Sequence, residues 1–152
     1  MSAHPLETVR IDGRGKNQLI TLKKRTGLKH WNELCRWAFC VSLAEISPPP
    51  AQDAGEISNV EMSWSTFAGR NSDLFATLLT ARCVRDGMST DRETLAEQLR
   101  LHLHRGLTYL VGSNETKDLL GFAGLALRIH ERSKLVDHER ARGPSCPPSG
   151  AG

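Results

Sequence analysis

The stretch that most constrains this chain is KHWNELCRWAFCVSLAE, Lys29 to Glu45. Read as a helix, it turns Trp31, Leu34, Cys35, Trp37, Ala38, Phe39, Cys40, Val41 and Leu43 to nearly every side. After the first turn only Glu33, Arg36 and Ser42 interrupt it. A helix without a polar face has to be covered on several sides. At 152 residues the chain has the length of one ordinary domain, so another subunit is expected to supply part of that cover. Ser47-Pro48-Pro49-Pro50 ends the helix, because proline lacks the N–H that continues the ladder.

Directly before this apolar run lies the densest positive charge. From Arg10 to His30, seven basic residues (Arg10, Arg14, Lys16, Lys23, Lys24, Arg25, Lys29) stand against one acid, Asp12, a net +6. The whole chain is +3, so the remainder sums to −3. A basic head on a slightly acidic body points to a polyanionic partner on one side. The competing reading is a solvated helix face.

The rest reads as short elements between punctuation. Thr8 to Asp12 alternates, Val9 and Ile11 on one side and Arg10 on the other, which is a strand signal. Gly13 and Gly15 break the chain before a helix over Lys16–Arg25. Gly27 then stands where a left-handed C-cap residue is wanted, with Leu28 as its apolar contact. Residues 51–70 form a connector with a short extended or helical piece at Val60–Phe67. A helix over Ser72–Asp86 places Leu74, Phe75, Leu78, Leu79 and Cys83 on one stripe. Thr90-x-x-Glu93 is a capping box, opening a helix that Gly106 closes after Arg105. A last helix is expected over Glu115–Glu131, where Gly121 and Gly124 have the spacing of a close helix crossing. The fold class is therefore mainly α, a small helical domain with a short N-terminal strand. Residues 1–8 read as a disordered lead-in, 9–130 as the domain and 131–152 as a disordered tail.

Strand, helix, Thr-Gly turn, helix is the order of a ribbon-helix-helix module, in which two chains pair their strands and share one core. Arg10 would then face outward toward the DNA major groove. Against that, Lys29 and His30 occupy the place of the usual capping Ser or Thr.

Several long blocks carry a more specific resemblance: LKKRTGLKHWNELCRWAFCVSLAEISPPP, SNVEMSWSTFAG, ARCVRDG and LRLHLHRGLTYL. Between about Val9 and Leu110 the chain closely resembles the DndE family of the bacterial DNA phosphorothioation system. The resemblance implies membership in machinery that replaces a non-bridging phosphate oxygen of DNA with sulfur. A cysteine desulfurase, an iron–sulfur sulfurtransferase-like protein and a P-loop ATPase are its implied partners and carry the sulfur chemistry. It further implies a helical homotetramer that binds DNA, nicked duplex by preference, through a glycine-containing loop flanked by lysines. Here that loop is Arg25-Thr26-Gly27-Leu28-Lys29, with Lys16, Lys23 and Lys24 nearby. Lysine ammonium groups suit phosphates without reading bases, and a turn leading into a helix N-terminus favours an anion.

Catalytic patterns do not assemble. No phosphate-binding Walker loop, nucleophile elbow or GxGxxG is present. His102 and His104 share a face only on a strand, and the Leu95/Leu99/Leu103 spacing argues for a helix, with one histidine buried and one exposed. No metal or cofactor is implied, and an enzyme built on those histidines is the third reading after the DNA-binding subunit and the ribbon-helix-helix repressor or antitoxin. Trp31 and Trp37 read as core or interface rather than as a base-stacking platform. Cys35, Cys40 and Cys83 are expected as free buried thiols, with no CxxC pair in the chain. The opening MSAHPLETVRIDGRG lacks an apolar signal core, and no apolar run approaches the ~20 residues of a spanning helix. A cytoplasmic protein without a membrane partner is the expectation.

Overall fold

A computed structural model describes residues 6–113, together with residues 121, 124, 128, 134, 138 and 141. The elements run β1 (Thr8–Ile11), α1 (Gly13–Thr26), α2 (Trp31–Ala44), β2 (Val60–Ser63), α3 (Trp64–Ala68), a 3-10 turn (Gly69–Asn71), α4 (Ser72–Arg85) and α5 (Arg92–Gly112). Of the helix expected over Glu115–Glu131 only Gly121, Gly124 and Arg128 are described, each helical; the rest of it, most of the tail and Cys146 lie outside the described residues.

The alternation in TVRI sends Val9 and Ile11 into the core, each 2% exposed, and Arg10 outward. β1 pairs antiparallel with β2 of its own chain, Thr8 opposite Ser63 and Ile11 opposite Val60. The strand that a ribbon-helix-helix protein lends to a second chain is thus engaged internally here. The piece expected at Val60–Phe67 is both things in turn. Four residues extend as β2, then Ser63 accepts a hydrogen bond from Thr66 N–H at 3.1 Å and starts α3.

α2 is the axis of the core. Leu34, Cys35, Ala38, Phe39 and Ser42 form its fully buried face, covered chiefly by α5. Phe39 meets Phe67 edge-on at 6.0 Å and Phe75 at 5.7 Å, which ties α3 and α4 to the same centre. The remaining apolar positions of α2 are less covered: Trp37 and Val41 are half-buried and Cys40 is exposed. Cys40 therefore corrects the expectation of three buried thiols. Cys35 fits that expectation, and burial pushes its thiol up to about 12.

Two expectations change, about the stripe of α4 and the end of α5, and the cap of α5 moves by one residue. Phe75, Leu79 and Cys83 face the core, but Leu74 and Leu78 are 54% and 37% exposed. They belong to a second apolar stripe on the outer side of α4. The other correction concerns Gly106, which does not end α5, since the helix continues to Gly112. A Cβ at Gly106 would lie 1.8 Å from the Ala38 carbonyl oxygen, so the glycine is where the backbones of α2 and α5 cross. The helix starts on Asp91, whose Oδ1 accepts from Thr94 N–H at 2.8 Å, rather than on Thr90. Hydrogen bonds from the Ser89 hydroxyl first, then from the Thr94 N–H and hydroxyl, hold the Asp91 carboxyl down at about 2.

Candidate nucleic-acid interface

α1 begins on Asp12, which accepts from Gly15 N–H at 2.8 Å. Its buried row is Gly15, Leu19, Leu22 and Thr26. That row fixes where the basic side chains go. Lys16 and Lys23 share one flank of it, seven residues and about 10 Å apart along the axis. Lys24 points to solvent on the outer side, and Arg25 leans to the opposite flank. Lys23, Lys24 and Arg25 form the last turn, where cations favour the helix dipole. This is the bland account of those charges, and it applies to Lys23 and Lys24 whatever they bind.

Gly27 closes α1 with φ 72°, in the left-handed region, and its N–H donates to Lys23 O at 3.0 Å. No atom would meet a Cβ at Gly27 within 4 Å, so the turn is open to approach from outside. Beyond it, His30 precedes α2 without a side-chain cap, leaving the first amides of that helix uncapped. Lys29 and His30 are exposed beside them.

The residues expected at this site thus divide. Lys23, Lys24, Gly27 and Lys29 come together as an exposed turn. Lys16, half-buried, donates from Nζ to Asn59 Oδ1 at 2.7 Å, which anchors it one helix flank away. Arg25 donates from Nη1 to Val111 O at 2.8 Å and so ties α1 to the end of α5. Thr26 is 3% exposed, donates to Leu22 O at 2.8 Å and accepts from Leu28 N–H at 3.3 Å. Those two side chains shape the turn from within.

Two grooves border the basic strip. One, of about 360 Å³, is lined by Lys23, Lys29, His30, Trp31 and Met62 among others. Lys23 Nζ sits 5.8 Å from the centre of the Trp31 ring, a contact worth about 0.5–1 kcal/mol at such a surface. The other, of about 730 Å³, is lined by Arg14, Lys16, Asn17, Glu56 and Ile57 among others. Asn59 stands on the rim of both. From Gly13 to His30 the chain carries no acid. The carboxylate nearest in the first groove, Glu61, is already paired with Arg10 at 3.2 Å. Asn59 and Ile57 were not legible beforehand, because residues 51–59 carry no periodicity to orient them.

The histidines sit elsewhere. His102 and His104 are both buried, at 0% and 5% exposure, rather than one in and one out. Arg105 Nε donates to Ser42 Oγ at 2.8 Å, and the Ser42 hydroxyl is also hydrogen-bonded to His102 Nδ1, at 2.8 Å. Burial first, then Arg82 and Arg105, bring His102 down to about 4. His104 Nδ1 lies 3.6 Å from Asp12 Oδ1, and burial lowers it too. Among the described residues no group of three or more His, Cys, Asp or Glu could hold a metal ion. Nor is any described helix long and apolar enough to cross a membrane.

The family model described as DNA sulphur modification protein DndE matches residues 8–118, from β1 to just beyond α5. No curated protein matches the chain.

Proposed function

Because the chain belongs to the DndE family of DNA sulphur modification proteins, we propose that it is the non-catalytic subunit that holds DNA while partner enzymes exchange a phosphate oxygen for sulfur. One observation carries this reading. Lys23, Lys24 and Lys29 surround an open glycine turn that leads into an uncapped helix N-terminus. Ammonium groups and backbone amides converging on one surface form a receptor for phosphates, and they read no base edges. Lys16 would extend the strip along α1, while Arg25, Thr26 and Gly27 hold its shape. The partners are a cysteine desulfurase, an iron–sulfur sulfurtransferase-like protein and a P-loop ATPase.

Assembly completes the proposal. Leu74, Leu78, Val84 and Met88 are 54%, 37%, 64% and 40% exposed, along the outer side of α4 and the turn after it. Leu74 and Leu78, one turn apart, form the centre of this exposed apolar surface, which we assign to a homotetramer. Several basic turns on one particle would grip both flanks of a strand break. Nicked duplex is the favoured ligand on this account.

The test is a titration of nicked, intact and single-stranded oligonucleotides of one sequence. Binding should show little sequence preference and fall steeply with salt. Changing Lys23, Lys24 and Lys29 together to alanine should cut affinity for duplex at least about tenfold and flatten the salt slope. The oligomer mass should stay the same. Unchanged affinity would remove the basic turn as the contact surface.

A further inference from the structure

The loop between the proline turn and β2 is held on both sides of Ile57. Gly13 N–H donates to Glu56 O at 2.8 Å, Ser58 Oγ–H donates to Ile11 O, and Val60 N–H donates to Ser58 Oγ at 3.1 Å. Gly55 lies hard against Asp12, with room for no Cβ: one would come within 2.5 Å of Oδ2. Between these anchors Ile57 is 100% exposed. A single exposed apolar residue is ordinary. The setting of this one is not.

Ile57 lines the same depression as Arg14 and Lys16. Two residues on, Asn59 holds Lys16 Nζ and joins that depression to the groove of Lys23 and Lys29. An isoleucine is therefore presented on a fixed loop at one end of a continuous basic strip. Glu56, the one acid lining that depression, repels phosphate there. It leaves the contacts to phosphate to the α1 side of the isoleucine.

Aliphatic side chains carried beside phosphate-binding cations act on DNA by entering a base step and unstacking it, at a cost of about a few kcal/mol per step. A strand break lowers that cost, because one backbone no longer holds the two bases in register. We propose that Ile57 is a wedge that enters the base step at a strand break, so that it sets the preference of this surface for broken over continuous duplex. This rests on the DNA-binding reading above: the lysines supply affinity and Ile57 supplies discrimination.

The full-length protein and two variants, Ile57→Ala and Ile57→Met, are titrated with a duplex carrying one nick and with the same duplex intact. Both duplexes hold 2-aminopurine beside the nick position. The expected result is a loss of about tenfold in nicked-duplex affinity for Ile57→Ala, about 1.4 kcal/mol, with intact-duplex affinity held within about twofold. The 2-aminopurine fluorescence should rise on binding of the unaltered protein and of Ile57→Met, and stay flat with Ile57→Ala. Since Ile57 touches no core residue, thermal stability should not move, which keeps the comparison free of folding effects. The wedge is overturned if Ile57→Ala keeps the nicked-to-intact ratio, or if the unaltered protein binds both duplexes equally. In either case the lysine surface stands. Failure of the unaltered protein to bind any duplex would instead remove the DNA-binding reading and the wedge with it.

Discussion

His102 is the residue whose environment and titration are most tightly joined. Its ring stands edge-on to Phe39 at 6.1 Å, is hydrogen-bonded to Ser42 through Nδ1, and leaves Nε2 buried without a hydrogen-bond partner. The groups facing it are Arg82 and Arg105, which oppose protonation, and Asp86, which favours it; burial outweighs all three. The folded protein holds His102 near 4 against an ordinary 6.5, so the unfolded chain binds the extra proton between those values. Stability is therefore full above about pH 6.5 and falls on acidification, by about 2 kcal/mol from this group at pH 5. Chemical denaturation at pH 7 and pH 5 should show that loss, and His102→Gln should reduce the pH dependence while lowering stability at both values. Superimposable profiles for the two proteins would exclude His102 as the source. From sequence, the helical spacing of Leu95, Leu99 and Leu103 correctly separated His102 from His104, but the expectation of one buried and one exposed ring fails, since both are buried. Depth depends on what α1 and α2 bring against α5, and periodicity within one helix carries no information about that.

At the scale of elements, the end of α2 shows what the sequence could and could not disclose. The prolines at 48–50 marked the stop, and Gly27 marked the end of α1, because each acts on its own backbone. Neither discloses where the last carbonyls of α2 find donors. They find them on two other helices. Arg82 of α4, 5% exposed, donates to the carbonyls of Leu43, Glu45 and Ser47 at 2.9, 2.8 and 2.8 Å, and pairs with Asp86 at 2.8 Å. Arg105 of α5 donates to Ser42 O and Ser47 O, both at 2.7 Å. These guanidiniums serve as a C-cap supplied from a distance, satisfying carbonyls that a helix end leaves orphaned. In the sequence both arginines look like ordinary surface charges on amphipathic helices. Replacing Arg82 by alanine strands the carbonyls of Leu43, Glu45 and Ile46 and the buried Asp86 carboxylate together, while Ser47 O keeps Arg105, and should cost about 3–5 kcal/mol. Urea unfolding would register that as a lower midpoint. A loss below about 1 kcal/mol would mean that water enters and replaces the arginine.

For the whole molecule, the adjoining runs of positive charge and apolar residues fall on separate parts of the fold. The basic turn is the tip between α1 and α2, and the second helix is the core axis. The exposed apolar stripe belongs to α4. From sequence a second subunit is expected against α2; within the single chain α5 and α3 cover most of that helix, and exposed apolar side chains stand on α4. Helical periodicity placed Leu74 and Leu78 with the core because both rows of α4 are apolar, so the pattern could not say which row faces inward. That geometry gives assembly and DNA binding separable residues. Leu74→Glu with Leu78→Glu puts two charges on the α4 surface while leaving Phe75, Leu79 and Cys83 in place. The variant should keep its helical signal and melt within a few degrees of the parent, since neither side chain is buried in the single chain. In sedimentation it should run as a smaller species. If DNA is held by several basic turns at once, losing the assembly should weaken duplex binding by about 10²-fold or more although Lys23, Lys24 and Lys29 are untouched, because multivalent contact becomes single contact. A variant that dissociates yet binds duplex as tightly as the parent would show that one basic turn suffices. One that remains assembled would move the subunit interface off α4.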